Sequence, residues 1–396
     1  MDRLLVILNF VVFLITFIWA YRKWKRFTMG VILILAYTLV SFFCVINYNL
    51  NPSQWKFQLI YFIYLYVAIV LLLSPFLSKS CEVKNDFKVK SESFYKLVAW
   101  IYIALSTVAC IVYYPEAREA IVNPNWADLY LDAHEEMEGT LFTKFANMFF
   151  HLRFLGITLP FYFTSVKNCG RILKVSLLIM AVLPLVMVTI SNASRGGFIE
   201  IFVAFVLSYS IFRNYLSANT LRLLKFFSLI VIPFVIIYLS AVTIARFEGT
   251  NYAETTGDTV IVYLGHSMLT FVYGIADTIN NYAWGAYMFG TETVQNFANG
   301  THVGSGFTTI VGNLYWDFGP VFTIILIWLF NRFWKKMSKR PVGIPEAFLL
   351  ITYGMTLYRG IFVLGRGWGV QLLEGFIIYF VLRFFQNRKK ANVQRV

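Results

Sequence analysis

Charge is scarce in this chain. Asp, Glu, Lys and Arg make up 14% of its 396 residues, whereas 59% are hydrophobic and the mean hydropathy is +0.66. A water-soluble domain of this length has no interior large enough for so much apolar surface, so a soluble fold is excluded. Cysteine is rare too. Cys44, Cys81, Cys110 and Cys169 show no CxxC spacing, which supports neither a disulfide framework nor a zinc site. The chain lacks an Asp-x-Asp metal–nucleotide motif, a P-loop and a dinucleotide fingerprint. A cytoplasmic nucleotide-sugar donor is therefore not expected, and neither a metal nor another cofactor is required. No small-residue cleavage pattern follows the first apolar run, which ends in YRKWKR; it reads as a retained helix, not a signal peptide.

What is present in quantity is apolar runs and aromatic residues. Phe and Tyr number 40 and 24, a composition suited to lipid-facing helices and interfacial belts. Runs of spanning length fall at 4–20, 28–48, 56–77, 97–113, 146–165, 172–190, 198–212, 226–245, 319–331, 344–363 and 370–385. They predict an all-α polytopic integral membrane protein of about 11 transmembrane helices, one domain over 1–396 without repeats.

The net charge of +14 does not signal a nucleic-acid partner, because the basic residues sit in short breaks between apolar runs. Alternate breaks hold 25 of the 34 Lys and Arg, among them RKWKR, five lysines in 79–96, the cluster at 332–340 and the tail RKKANVQR. This asymmetry predicts those breaks inside, with the N-terminus outside and the C-terminus cytoplasmic. The opposite breaks include an acidic stretch from Tyr114 to Lys144 and a large outer loop over 246–318. Within that loop, TVIVYLGHSMLTFVYGIADTI is apolar enough for a span, but a span there would invert the charge parity downstream. An interfacial or re-entrant helix is the expectation.

Five arginines break the charge rule: Arg153 in FFHLRFLG, Arg195 in SNASRGGF, Arg246, Arg359 in TLYRGIFVLG, and Arg366 in GRGWG. Arg153 is expected about seven residues into a helix entered from outside, and Arg359 several residues before an outer helix end. An arginine in the apolar slab costs about 2.5–3.5 kcal/mol unless it pairs or meets water. Glu200 and Glu374 lie near the same depth and offer structural pairing, and Arg246 and Arg366 can snorkel to head groups. Two carboxylates do not neutralise five guanidiniums, so an anionic partner is also expected. Guanidinium forks match phosphate oxygens bidentately. The glycines of SRGG and GRGWG would let backbone approach a ligand. The natural carrier of phosphate at that depth is a membrane lipid, with a polyprenyl pyrophosphate bearing a sugar as the leading candidate.

Three stretches resemble the Wzy-type O-antigen and capsule repeat-unit polymerases. SNASRGGFIEIFVAFVLSY is similar to that family's S-R-(G/A) opening of a helix. VYLGHSMLTFVYGIAD resembles its outer-loop segment, with His266 where a second glycine is common. GFTTIVGNLYWDFGPVFTII resembles its T-x-x-x-x-x-Y-x-D-F-G run, here followed by Pro320. The related O-antigen ligases share this plan. The resemblance implies a GT-C-like bundle in the bacterial cytoplasmic (inner) membrane. Its activity would be a glycosyltransferase that moves a growing glycan from undecaprenyl pyrophosphate to a second undecaprenyl-pyrophosphate-linked repeat unit. A chain-length regulator protein would be a further partner. A ligase-type transferase and a lipid-linked oligosaccharide flippase are the alternatives.

On this reading Arg195, Arg359 and Arg366 hold the donor pyrophosphate, and Arg153 and Arg246 serve the acceptor lipid or support. A general base for the acceptor hydroxyl would come from Asp317, His266, Asp277 or His302. Asp317 equally suits a helix cap, and His266 a packing role. Glu200 and Glu374 would orient arginines. Tyr358, Trp316 and Trp368 are placed to stack on sugars or to line the interface.

Overall fold

In a computed structural model of the chain, the described residues are 2–50, 57–83, 92–122, 141–164, 170–192, 195–222, 224–226, 229, 233, 237, 256–275, 282–291, 308–362, 364–365 and 367–393. Among them the regular elements are all helical. In chain order they are α1 (Asp2–Trp24), α2 (Met29–Leu50), α3 (Leu59–Ser78), α4 (Glu92–Val122), α5 (Leu141–Thr164), α6 (Arg171–Ser191), α7 (Arg195–Phe212), α8 (Thr256–Thr270), α9 (Ala286–Phe289), α10 (Ile310–Ser338), α11 (Ile344–Arg359) and α12 (Trp368–Val393). Eight of these, α1 to α4, α6, α7, α10 and α12, are long and apolar enough to cross a membrane. The protein is a multi-pass membrane protein. The run at 226–245 lies almost wholly outside the described residues.

The chain forms two compact units. The first comprises Met1–Cys81, Asn251–Pro341 and Thr352–Glu374, the second Glu82–Thr250, Val342–Ile351 and Gly375–Val396. In lipid there is no hydrophobic drive between helices, so close approach and side chain to carbonyl bonds do the joining. The first unit shows both. A Cβ on Gly30 of α2 would stand 2.5 Å from the Phe76 carbonyl oxygen of α3. Tyr37 donates to the Leu357 carbonyl at 2.9 Å and Tyr353 to the Leu72 carbonyl at 3.2 Å. The Tyr353 ring stacks on Trp334, with centroids 4.0 Å apart.

α8 is the segment expected to be interfacial or re-entrant. Its 15 residues rise about 22 Å, short of a full span. Asn47 donates to the Val262 carbonyl at 3.4 Å, a Cβ on Gly265 would lie 2.3 Å from the Phe43 carbonyl oxygen, and Asn9 reaches Met268 Sδ at 3.7 Å. Numbers rise on α8 as they fall on α2. The two helices are antiparallel, and α8 ends in a π-helical turn, Phe271–Ile275.

α10 is two arms. Gly319 has φ 70 and ψ 179, a left-handed conformation that strains any residue with a Cβ. Pro320 follows, with no N–H to offer the preceding turn. Thr323 Oγ1 donates to the Leu314 carbonyl at 2.8 Å. In an unbroken helix residues nine apart are about 13 Å apart along the axis, so the arm 310–318 folds back on the arm 320–338. The longer arm, 19 residues and about 28 Å, carries the apolar run and ends in Arg332, Lys335 and Lys336.

In the second unit α4 packs on α5 and α6, and α5 on α7. Tyr95 meets Tyr162 edge-on at 5.6 Å, and Phe161 contacts Phe205 and Phe212. Gly156 of α5 leaves the space that the Tyr102 ring fills, since a Cβ there would fall 1.9 Å from its Cζ. Arg383 pairs with Glu346 at 3.5 Å near the basic end of α12.

Candidate functional site

Two groups of the expected residues fall in described structure, one in each unit. In the first unit they surround the segment 360–368, which joins the end of α11 to the start of α12. Arg359 is the last residue of α11, not several residues before its end as the apolar run implied, because the helix stops there and turns at 360–362. A cation in the last turn complements the negative end of a helix. Its Nη1 also donates to Gln371 Oε1 at 3.1 Å, in the first turn of α12. The Ile310 N–H donates to the Gly360 carbonyl at 2.6 Å, so the foot of the folded-back arm stands beside Arg359.

Asp317 lies near the other end of that arm and is fully buried. Oδ1 accepts the Tyr287 N–H at 3.0 Å and Oδ2 the Met288 N–H at 2.9 Å. The carboxylate thereby caps α9, the single helical turn at 286–289. The Ala283 and Trp284 N–H groups donate to the carbonyls of Trp316 and Asp317 at 3.0 and 2.6 Å. The cap expected of Asp317 is at the start of its own helix; the residue lies instead in the last turn of the arm 310–318, whose cap is Thr309, and the helix it caps is α9.

The turn that Asp317 holds is tied to segment 360–368 from its other side. Tyr287 Oη donates to the Leu364 carbonyl at 2.5 Å, and the Gly367 N–H donates to the Tyr287 carbonyl at 3.0 Å. Leu364 donates its own N–H to Asn313 Oδ1 at 3.0 Å. His266 is half-buried on α8, with Nδ1 in a short hydrogen bond to Thr270 Oγ1 one turn on. Tyr263, also on α8, stacks on Phe362 at 6.1 Å. Thus Arg359, Asp317 and α8 converge on one short connecting segment. Trp368, at 3% exposure, presents no open ring face to a sugar, and Trp316 is buried likewise. Tyr358 and Glu374 are half-buried.

In the second unit Arg195 is the first residue of α7, and Glu200 follows, half-buried, five residues on. Arg153 is twelve residues beyond Leu141, about 18 Å into α5. The seven residues expected count from the apolar run at 146, and the helix already includes 141–145 before it. Its Nη1 donates to the Phe150 carbonyl at 3.1 Å and its guanidinium lies 4.8 Å from the Phe154 ring centroid. Of the SRGG glycines, Gly197 faces a neighbour: a Cβ would meet Thr189 Oγ1 of α6 at 2.2 Å. In GRGWG, Gly369 is closed against Met288, whereas Gly365 has open space around it. So only part of each glycine motif is free for a ligand. Arg246, Arg366, Asp277 and His302 lie outside the described residues, and so does the side chain of Arg195.

Sequence reasoning missed Gln371, Tyr287 and Asn313. Each acts across 12 to 77 positions of sequence, and nothing local marks the partner. Among the described residues no group of three or more His, Cys, Asp and Glu is placed to hold a metal ion. Comparison with protein-family models, curated proteins and solved structures found no match to this chain.

Proposed function

We propose that this protein is a lipid-linked polysaccharide polymerase of the outer face of the bacterial cytoplasmic membrane, with the N-terminus outside and the C-terminus cytoplasmic. It would transfer a glycan from one undecaprenyl pyrophosphate to a second lipid-linked repeat unit. The observation that supports the reading is the convergence of Arg359, Asp317 and α8 on the connection that follows α11.

In the reaction the acceptor hydroxyl oxygen attacks the donor's anomeric carbon. The anomeric C–O bond to pyrophosphate breaks, the proton passes to a general base, and the lipid pyrophosphate leaves with the bonding pair. Negative charge grows on that leaving group, where outer-face arginines, Arg195 first among them, would stabilise it. The motifs SRGGF and YWDFG support the assignment through their resemblance to the polymerase family.

The test is an in vitro reaction. Purified protein is mixed with a lipid-pyrophosphate-linked repeat unit, and the products are sized. A ladder of multiples that Arg195→Ala abolishes supports a polymerase; transfer to a different acceptor without a ladder supports a ligase. The alternative is a lipid-linked oligosaccharide flippase, which needs cations partway across. Translocation of the lipid-linked unit in reconstituted vesicles, without chain extension, would establish it.

A further inference from the structure

We infer that Asp317 is a positioning residue, which fixes the Arg359–Trp368 segment through Tyr287 rather than taking a proton from substrate. Both carboxylate oxygens are engaged by backbone N–H groups, and the residue is fully buried. A general base needs a lone pair within reach of the acceptor hydroxyl, and neither oxygen is open to one. What the carboxylate does is hold the turn 283–291, in which Trp284, Gly285 and Gly290 all adopt left-handed φ values of 51, 90 and 83. Glycine takes such values freely, whereas Trp284 is held in its own by the surroundings.

The held turn then acts on something else. Tyr287 gives its N–H to Asp317, its hydroxyl to Leu364 and its carbonyl to the Gly367 N–H. One residue thus joins the carboxylate to two backbone points of the segment that follows Arg359. On the far side of that segment, Gln371 receives the Arg359 guanidinium. The Gln371 N–H donates to the Gly367 carbonyl at 3.4 Å. The chain of contacts runs from Asp317 through Tyr287 and Gly367 to Gln371 and Arg359. Its consequence for activity rests on the polymerase reading; its mechanical content does not.

Hydrogen exchange on the full chain in lipid nanodiscs tests the mechanics, with Asp317→Asn and Tyr287→Phe. Asparagine offers one acceptor oxygen where the carboxylate offers two. Asp317→Asn should speed exchange about tenfold or more at 283–291 and also at 360–368. Tyr287→Phe removes one hydroxyl and leaves the Asp317 bonds in place, so exchange should rise at 360–368 alone. It also keeps the inference testable if the Asp317 variant fails to fold. In the extension assay both variants should raise KM for the lipid-linked substrate more than they lower kcat.

Unchanged exchange at 360–368 in both variants overturns the relay. So does a collapse of kcat in Asp317→Asn beside wild-type kinetics in Tyr287→Phe, which would make Asp317 the base. If the wild-type protein extends no chain, the polymerase reading falls, and the exchange data still decide the relay.

Discussion

Arg195 and Arg359 stand at opposite kinds of helix end. Arg195 opens α7 in the second unit, and Arg359 closes α11 in the first. At Arg359 the protein supplies the negative end of a helix and the side-chain Oε1 of Gln371. Arg195 brings the SRGG stretch, which resembles the helix opening of the polymerase family. The two arginines, equally unexpected in the charge pattern, therefore carry different information: Arg359 has a partner in the fold, and Arg195 has a motif in the sequence.

That contrast predicts the largest effect. Arg195→Ala should cut chain extension by about 100-fold or more, the loss typical of removing a preorganised group that stabilises transition-state charge. Arg359→Ala should cost about tenfold, with a smaller change in affinity for the pyrophosphate lipid. Both are read in the in vitro assay on protein shown to be folded by its thermal transition. Equal losses would erase the distinction between the two arginines.

Arg153 sharpens the comparison, because it sits at neither end. Deep in α5, it has its own helix's Phe150 carbonyl and the Phe154 ring as neighbours. Arg153 is half-buried, and an arginine in the apolar slab costs about 2.5–3.5 kcal/mol unless it pairs or meets water. Arg153→Leu is therefore expected to leave the thermal transition unchanged or raised while extension falls tenfold or so. A lowered transition with extension intact would make Arg153 a structural residue.

How far the sequence foretold these positions follows from range. The apolar runs announced α1 to α7 and α10 to α12, because a span's length and hydropathy are local properties. The arginines were found by a local rule as well, the asymmetry of charge. The start of α5 was not legible: LFTKF, which precedes the apolar run at 146, is helical as well. Nor was the fold-back of α10, since DFGP in sequence does not say that Thr323 returns to Leu314. Asp317 was visible as a cap, but its partners lie 29 and 30 residues away in a turn with no apolar period. Long-range pairing of polar groups leaves no periodic trace, and there sequence reasoning stops.

The smallest expected effect concerns a glycine in the same motif as Arg195. SRGG reads as backbone cleared for a ligand, and Gly197 is nonetheless filled from the protein side by Thr189. Small residues at such crossings let helices approach, here α6 and α7. Gly197→Ala forces a methyl group against Thr189 Oγ1, which is itself bonded to the Leu185 carbonyl at 2.6 Å. Overpacking of this kind costs about 1–3 kcal/mol. The variant should melt a few degrees lower with a few-fold loss of extension, and adding Thr189→Ala should restore both by returning the space. Thr189→Ala alone gives the control for the lost hydroxyl. If Gly197→Ala instead melts normally, loses extension and gains nothing from Thr189→Ala, then the ligand and not the helix crossing sets the glycine, and the anion site reaches deeper along α7 than Arg195.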